Sequence, residues 1–313
     1  MMEPHNNNVV RSVCKRERFL SRLRLIAFLL MATSLFLLLF DVPAHSIGLD
    51  DVQESFILRY RLASNEVWTY RTTTTQKTDM EMLGQSLPVE ITIVVEYSVR
   101  GEGNDPSQNL RATLTLDTLS MTFDIVPEDM TIDLAPWIGK KMDLILSPTG
   151  EEAFAGIDTL PDIRFDQISD ETFDIRSLLR NPFPDLPSQP IRIGDTWQGG
   201  GRYSQTQRHI DTEVTTHSTN TLEDIDILDG LECLIMKTKM SGTLDGSGKQ
   251  MGMDVVFEGD LESTTTWYFA YESGTLVKLI SDQFMEGTIA IAGQVDMVVP
   301  MTQQTRIVSQ LLR

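Results

Sequence analysis

The sequence predicts a mainly β protein, antiparallel throughout, built either as one strongly curved open sheet or as two related half-barrels, with a short helix in the central connector. Three observations predict it. Apolar residues recur with period two over long runs, the signature of strands with one face inside. Short segments rich in Gly, Asp and Ser separate those runs, and such residues tolerate the positive φ of hairpin turns. Long strands joined by short turns describe a meander, because a βαβ fold would need helical crossovers.

The chain opens on an export signal. Arg11, Lys15, Arg16, Arg18, Arg22 and Arg24 form a basic stretch ahead of the unbroken apolar or small run Leu25 to Phe40. Ala44 and Ser46 then supply the small-x-small pattern of a signal peptidase site. At about 1.5 Å per residue that run reaches about 24 Å, short of the ~30 Å hydrocarbon core, which favours cleavage over a permanent anchor. The expectation is therefore an exported protein, periplasmic or extracellular. The alternative is an uncleaved helix at 25–40 that makes the sole membrane contact. No Cys stands in the stretch just after the apolar run, so the signal is not of the lipoprotein type.

Strands follow. Ile91, Ile93, Val95, Tyr97 and Val99 share one face, with Thr92, Glu96 and Ser98 on the other. Met251, Met253, Val255, Phe257 and Leu261 share a face, and Trp267, Phe269 and Tyr271 continue its parity. Ile289, Ile291, Val295, Met297 and Val299 repeat the pattern. Between Leu114–Leu116 and Leu119–Met121–Phe123 the parity switches, which predicts a β-bulge near Asp117-Thr118. The Thr-rich stretch from Thr69 to Thr78 reads as a strand with a polar surface. Turns are expected at 101–106, Asp229-Gly230, 245–248 and 272–274.

The segment 155–190 breaks the alternation and ends in a Pro-rich stretch from Asn181 to Pro190, a stiff linker. Ser169 to Arg180 has an N-cap, an acidic first turn and a basic last turn, and predicts the short helix. Glu66-Val-Trp68 and Asp195-Thr-Trp197 each set a Trp at a strand start ahead of a polar strand, the mark of an internal duplication. The expected layout is a signal at 1–46, a first β half at 47–160, a connector at 161–190 and a second β half at 191–313.

Charge and motifs exclude several classes. The net charge is −19, and the basic signal segment makes the remainder more acidic still. Such a surface repels phosphate backbones, so no nucleic-acid partner is expected. Beyond the signal, Cys233 is the only cysteine. It leaves no internal disulfide and reads as a small buried hydrophobe, with a reactive thiol as the alternative. Gly242 to Lys249 fails as a phosphate loop, since Gln250 stands where Ser or Thr is required, and reads as a hairpin turn. His209 and His217 are too isolated for a zinc site. The acidic run from Glu223 to Gly230 lacks calcium-loop spacing. No enzyme activity, metal or cofactor is expected.

Thr266-Trp-Tyr-Phe-Ala-Tyr-Glu-Ser-Gly-Thr-Leu-Val-Lys278 is an aromatic strand, a tight turn and a returning apolar strand. It is similar to a hairpin of the periplasmic lipoprotein-carrier superfamily. Gly194-Asp-Thr-Trp197 resembles a strand start in exported bacterial families of the same type. The resemblance covers about 20 residues and implies an open half-barrel with helices at its mouth. The ligands it implies are acyl chains of lipoproteins or lipids.

The functional expectation is an exported, non-enzymatic envelope protein that holds an apolar ligand, a lipid or acyl chain, in a concave sheet face. Ile93, Val95, Tyr97, Met251, Met253, Phe257, Trp267 and Phe269 are the expected lining. The recurrent methionines suit either such a cavity or ordinary core packing. The alternative is a structural or protein-binding envelope module that uses a sheet edge or the acidic face.

Overall fold

The computed structural model describes residues 55–82, 84–125, 128–132, 134–155, 163–164, 172–173, 182–207, 210–250, 253–293 and 296–312. The expected signal at 1–46 and most of the expected connector lie outside these residues. The chain divides into two units, one of 1–39 with 159–182 and one of 40–158 with 183–313. In the first, two short strands pair, β7 (Ile163–Arg164) with β8 (Thr172–Phe173). The helix expected over Ser169 to Arg180 is thus strand at its two described positions.

The second unit carries one sheet of 12 strands. Its first series is β1 (Val67–Met82), β2 (Gln85–Asn104), β3 (Leu110–Ile125), β4 (Glu128–Ile132), β5 (Lys141–Leu146) and β6 (Glu152–Ala155). Its second is β9 (Thr196–Gln207), β10 (Ile210–Leu228), β11 (Leu231–Gln250), β12 (Met253–Ala270), β13 (Thr275–Ala292) and β14 (Met297–Leu312). The order is β6-β5-β3-β2-β1-β14-β13-β12-β11-β10-β9, with β4 added beside β3. The chain begins at the centre, steps outward to β6, resumes at the opposite edge with β9 and steps back until β14 pairs with β1. That pairing, from Thr69↔Leu312 to Met80↔Met301, joins the two series into a single antiparallel sheet. The sheet is not closed: β6 and β9 are its edges. The only helical element in this unit's described residues is a 3-10 turn, Ala135–Trp137. Helices at the mouth and a duplicated half-barrel are therefore not seen there.

Local chemistry explains several features. Asp229 and Gly230 have φ of 53° and 77°, the two left-handed positions of a two-residue hairpin, and turn β10 into β11. Gly274 takes φ 71° between β12 and β13, as expected of that turn. The bulge is where the parity switch placed it: Glu96 pairs with Thr118 and Tyr97 with Leu116, leaving Asp117 as the extra residue. Its carboxylate accepts a hydrogen bond from the Ser98 hydroxyl.

Two expected turns are corrected. Asp245–Gly248 lies inside β11, paired with Val255–Glu258 of β12. Gly246 makes room for the Phe257 ring instead of reversing the chain. β2 runs through Gly101 to Asn104, and the turn falls on Asp105–Asn109, where the Asp105 carboxylate caps the backbone N–H of Ser107 and Asn109.

Each long strand alternates buried and exposed positions. One face of the sheet is therefore inside and the other meets solvent. Cys233 is fully buried among Ala270 and Val277, as expected of a small hydrophobe.

Candidate binding surface

Alternation decides which side chains reach the buried face, and every described member of the expected lining is on it. Ile93, Val95 and Tyr97 on β2 and Phe257, Trp267 and Phe269 on β12 are each at most 5% exposed. Met253 is half-buried with the same parity. Met251 lies outside the described residues.

One end of this face is closed by aromatic packing. Residues 55–66 and 183–191 run across it and pair through Phe56 and Ile191. Tyr60 meets Phe183 at 5.5 Å and Phe269 at 5.3 Å, edge-on in both cases. Phe183 also packs on Trp68 and Tyr70, and Tyr70 stacks on Tyr97 at 5.5 Å. The Tyr60 hydroxyl donates to Pro184 O and that of Tyr70 to Leu276 O. Burial holds both phenols well above their usual pKa, with smaller contributions from Tyr70, Glu152, Asp185 and Tyr97 at Tyr60 and from Tyr97 at Tyr70. Tyr97 and Phe269, expected to line a cavity, are thus part of this cluster.

A polar belt interrupts the apolar face beyond the cluster. On β1 the buried order is Trp68, Tyr70, then Thr74, Gln76 and Thr78, then Met80 and Met82. The stretch Thr69 to Thr78 was expected to be polar because it faced water, yet its Thr74, Gln76 and Thr78 face inward. Strand register carries the belt across the sheet: Gln76, Thr305, Gln283, Ser263, Met240 and Ser218 stand side by side on six successive strands. A second row beside it has Ser281, Thr265, Thr238 and Asn220. Hydrogen bonds link many members. Thr265 bonds Ser281 at 2.8 Å, Thr238 donates to Asn220 at 2.6 Å, Trp267 Nε1 donates to Thr238 at 3.2 Å, and Gln76 donates to Gln303 at 3.1 Å. Sequence reasoning missed the belt. A polar residue at an inward position is visible in the parity only once the strand's inner face is known.

The exposed face is charged. Arg71–Glu96, Lys77–Glu90, Lys249–Asp254 and Arg306–Asp282 are opposite-charge pairs on directly paired residues, 2.6 to 3.5 Å apart. A membrane-spanning barrel instead needs an apolar outward band. Among the described residues no helix is long and apolar enough to cross a membrane.

Like charges also meet directly across strands on this face, Glu90 opposite Asp124 and Glu213 opposite Asp245 among them. Asp245 stands directly opposite Glu258, and Asp260 directly opposite Glu286. These four, with Asp79 and Glu81 of β1, line a groove of about 900 Å³ that has no Lys or Arg in its wall. No group of His, Cys, Asp and Glu among the described residues has the arrangement of a metal site. His217 is exposed on β10, and His209 lies outside the described residues.

The arrangement defines a class, an open single-sheet β protein with one buried wall, and comparisons carry the identification no further. No protein-family model matches the chain, and no curated protein matches it. Among solved structures, a Bacteroides fragilis protein with a YmcC-like fold, assigned as exported, aligns at 13% identity and TM-score 0.30 over 82% of this chain and 98% of its own. The Pseudomonas aeruginosa protein OccK5 aligns at 7% identity and TM-score 0.25 over 80% and 100%. An outer membrane channel from Pseudomonas putida F1 aligns at 6% identity and TM-score 0.23 over 85% and 100%. Likenesses this low carry no argument about fold or function.

Proposed function

We propose that this is an exported, non-enzymatic envelope protein that holds an elongated apolar ligand, a lipid or acyl chain, against the buried wall of its sheet. The observation that supports it is the common orientation of the lining: residues from β2 and β12, far apart in sequence, fall on one wall of a sheet that is not closed. Burial of apolar surface drives such binding, at roughly 25 cal/mol per Å². Tyr97 and Phe269 are already engaged in the aromatic cluster, so the chain of the ligand belongs beyond the belt, beside Met80, Phe257, Ile289 and Met301. The test is native mass spectrometry of the full chain purified from the envelope, followed by solvent extraction. The reading expects a co-purifying lipid that is lost in Phe257→Ala. A clean apo mass removes it.

A second reading has its own observation. Like charges directly opposite on neighbouring strands destabilise a sheet by about 0.2–1 kcal/mol each, and this chain places two such pairs side by side in one groove that has no Lys or Arg in its wall. That pattern supports a docking surface for a positively charged protein segment. Titration with polylysine at low and high salt tests it. Binding that survives Asp260→Asn with Glu286→Gln would count against it.

A further inference from the structure

The belt says what kind of ligand the wall accepts, if the buried-wall reading holds. Every buried polar side chain described in the sheet is Ser, Thr, Asn or Gln; none is charged. Five successive strands, β1, β14, β13, β12 and β11, each show an apolar–polar–apolar order along the buried face, and β10 continues the polar stretch with Thr216, Ser218 and Asn220 between Val214 and Leu222. A charge placed there would meet no counter-ion, and an uncompensated ion in a low-dielectric site is very costly.

The belt is also incomplete. Ser218 and Ser263 are 3% and 6% exposed, and their hydroxyl oxygens have no hydrogen-bond partner. Ser218 and Ser263 flank Met240 in the same row. A buried hydroxyl without a partner loses its hydration for no return, which is why native proteins keep few of them. Their neighbours on the belt are paired, so the row can hold hydrogen bonds, and two of its members are left open to something absent from the chain itself.

We infer that Ser218 and Ser263 receive the polar group of an uncharged amphiphile, a lipid whose head is a hydroxyl, ester or amide and carries no ionised group. The head sits at the belt and the chain extends along the Met80–Phe257 end of the wall. Anionic phospholipids and free fatty acids are disfavoured by the same uncharged belt.

The test uses the full chain and two probes that share one acyl chain: a brominated stearoyl ester of glycerol and brominated stearate at pH 8. Bromine quenches tryptophan emission at contact, and Trp267 donates its indole N–H into the belt. The expected result is quenching by the ester at an affinity at least tenfold above that for stearate. Ser218→Ala with Ser263→Ala should weaken ester binding by about tenfold without lowering the melting temperature, because no protein hydrogen bond is removed. Equal or tighter binding of stearate overturns the inference while leaving the buried-wall reading intact. Unchanged ester affinity in the double variant also overturns it. Quenching by neither probe removes the buried-wall reading itself, and this inference with it.

Discussion

The ring of Phe257 on β12 lies across Gly246, its directly paired neighbour on β11. A Cβ on Gly246 would fall 2.0 Å from the Phe257 ring carbon Cζ. A glycine leaves a gap in a sheet, and an aromatic from the next strand fills it. The glycine-rich 245–248 stretch is strand because the partner strand brings an aromatic to this position.

Gly246→Ala is expected to destabilise the protein by about 1–3 kcal/mol through overpacking against that ring. Phe257→Leu should relieve most of the penalty in the double variant. Denaturant unfolding of both single variants and the double reads the coupling directly; additive losses would show that the two side chains do not compete for space.

Removing the like-charge pairs should help the fold. Asp260→Asn is expected to raise stability by about 0.2–1 kcal/mol, with the gain shrinking as salt screens the repulsion. The same change at Asp282, which pairs with Arg306 at 2.6 Å, should have no such benefit. Melting temperatures at low and high ionic strength separate the two.

Alkaline stability should be governed by the aromatic cluster. Burial raises Tyr60, Tyr70 and Tyr97 above the ordinary 10.0, so below pH 10 folded and unfolded chains both keep these phenols protonated. As pH rises past 10 the unfolded chain ionises first, and stability is lost progressively until the folded phenols titrate as well. Tyr70→Phe should flatten the fall between pH 10 and 11.5, measured by denaturant midpoint, although it loses the bond to Leu276 O.

The Cys233 thiol should be inert. Burial pushes it up to about 11, leaving little thiolate at neutral pH. Alkylation by iodoacetamide at pH 8 is expected only in denaturant, and fast labelling of the native protein would contradict its burial.

Asp117 tests the bulge. Deleting it should restore a continuous register with Glu96–Tyr97 and send either Leu114–Leu116 or Leu119–Met121 to the exposed face. The expected outcome is loss of cooperative unfolding, whereas Asp117→Ala, which removes only the Ser98 bond, should unfold cooperatively.

Much was legible in the residues alone. Period-two alternation determined the strands and the inward parity of Ile93, Phe257 and Trp267, because a side chain's face follows directly from its position in a pleated strand. The Asp229-Gly230 hairpin and the Asp117 bulge were equally local, the first set by tolerance of positive φ and the second by a visible break in parity. What only the tertiary structure decided depends on which strands become neighbours. Pairing of β1 with β14 turned two expected halves into one sheet. The same pairing put Thr74, Gln76 and Thr78 at its centre, where they are buried instead of wet. The β12–β13 register set Asp260 against Glu286. The first two follow from register between residues more than two hundred positions apart, which leaves no trace in local sequence.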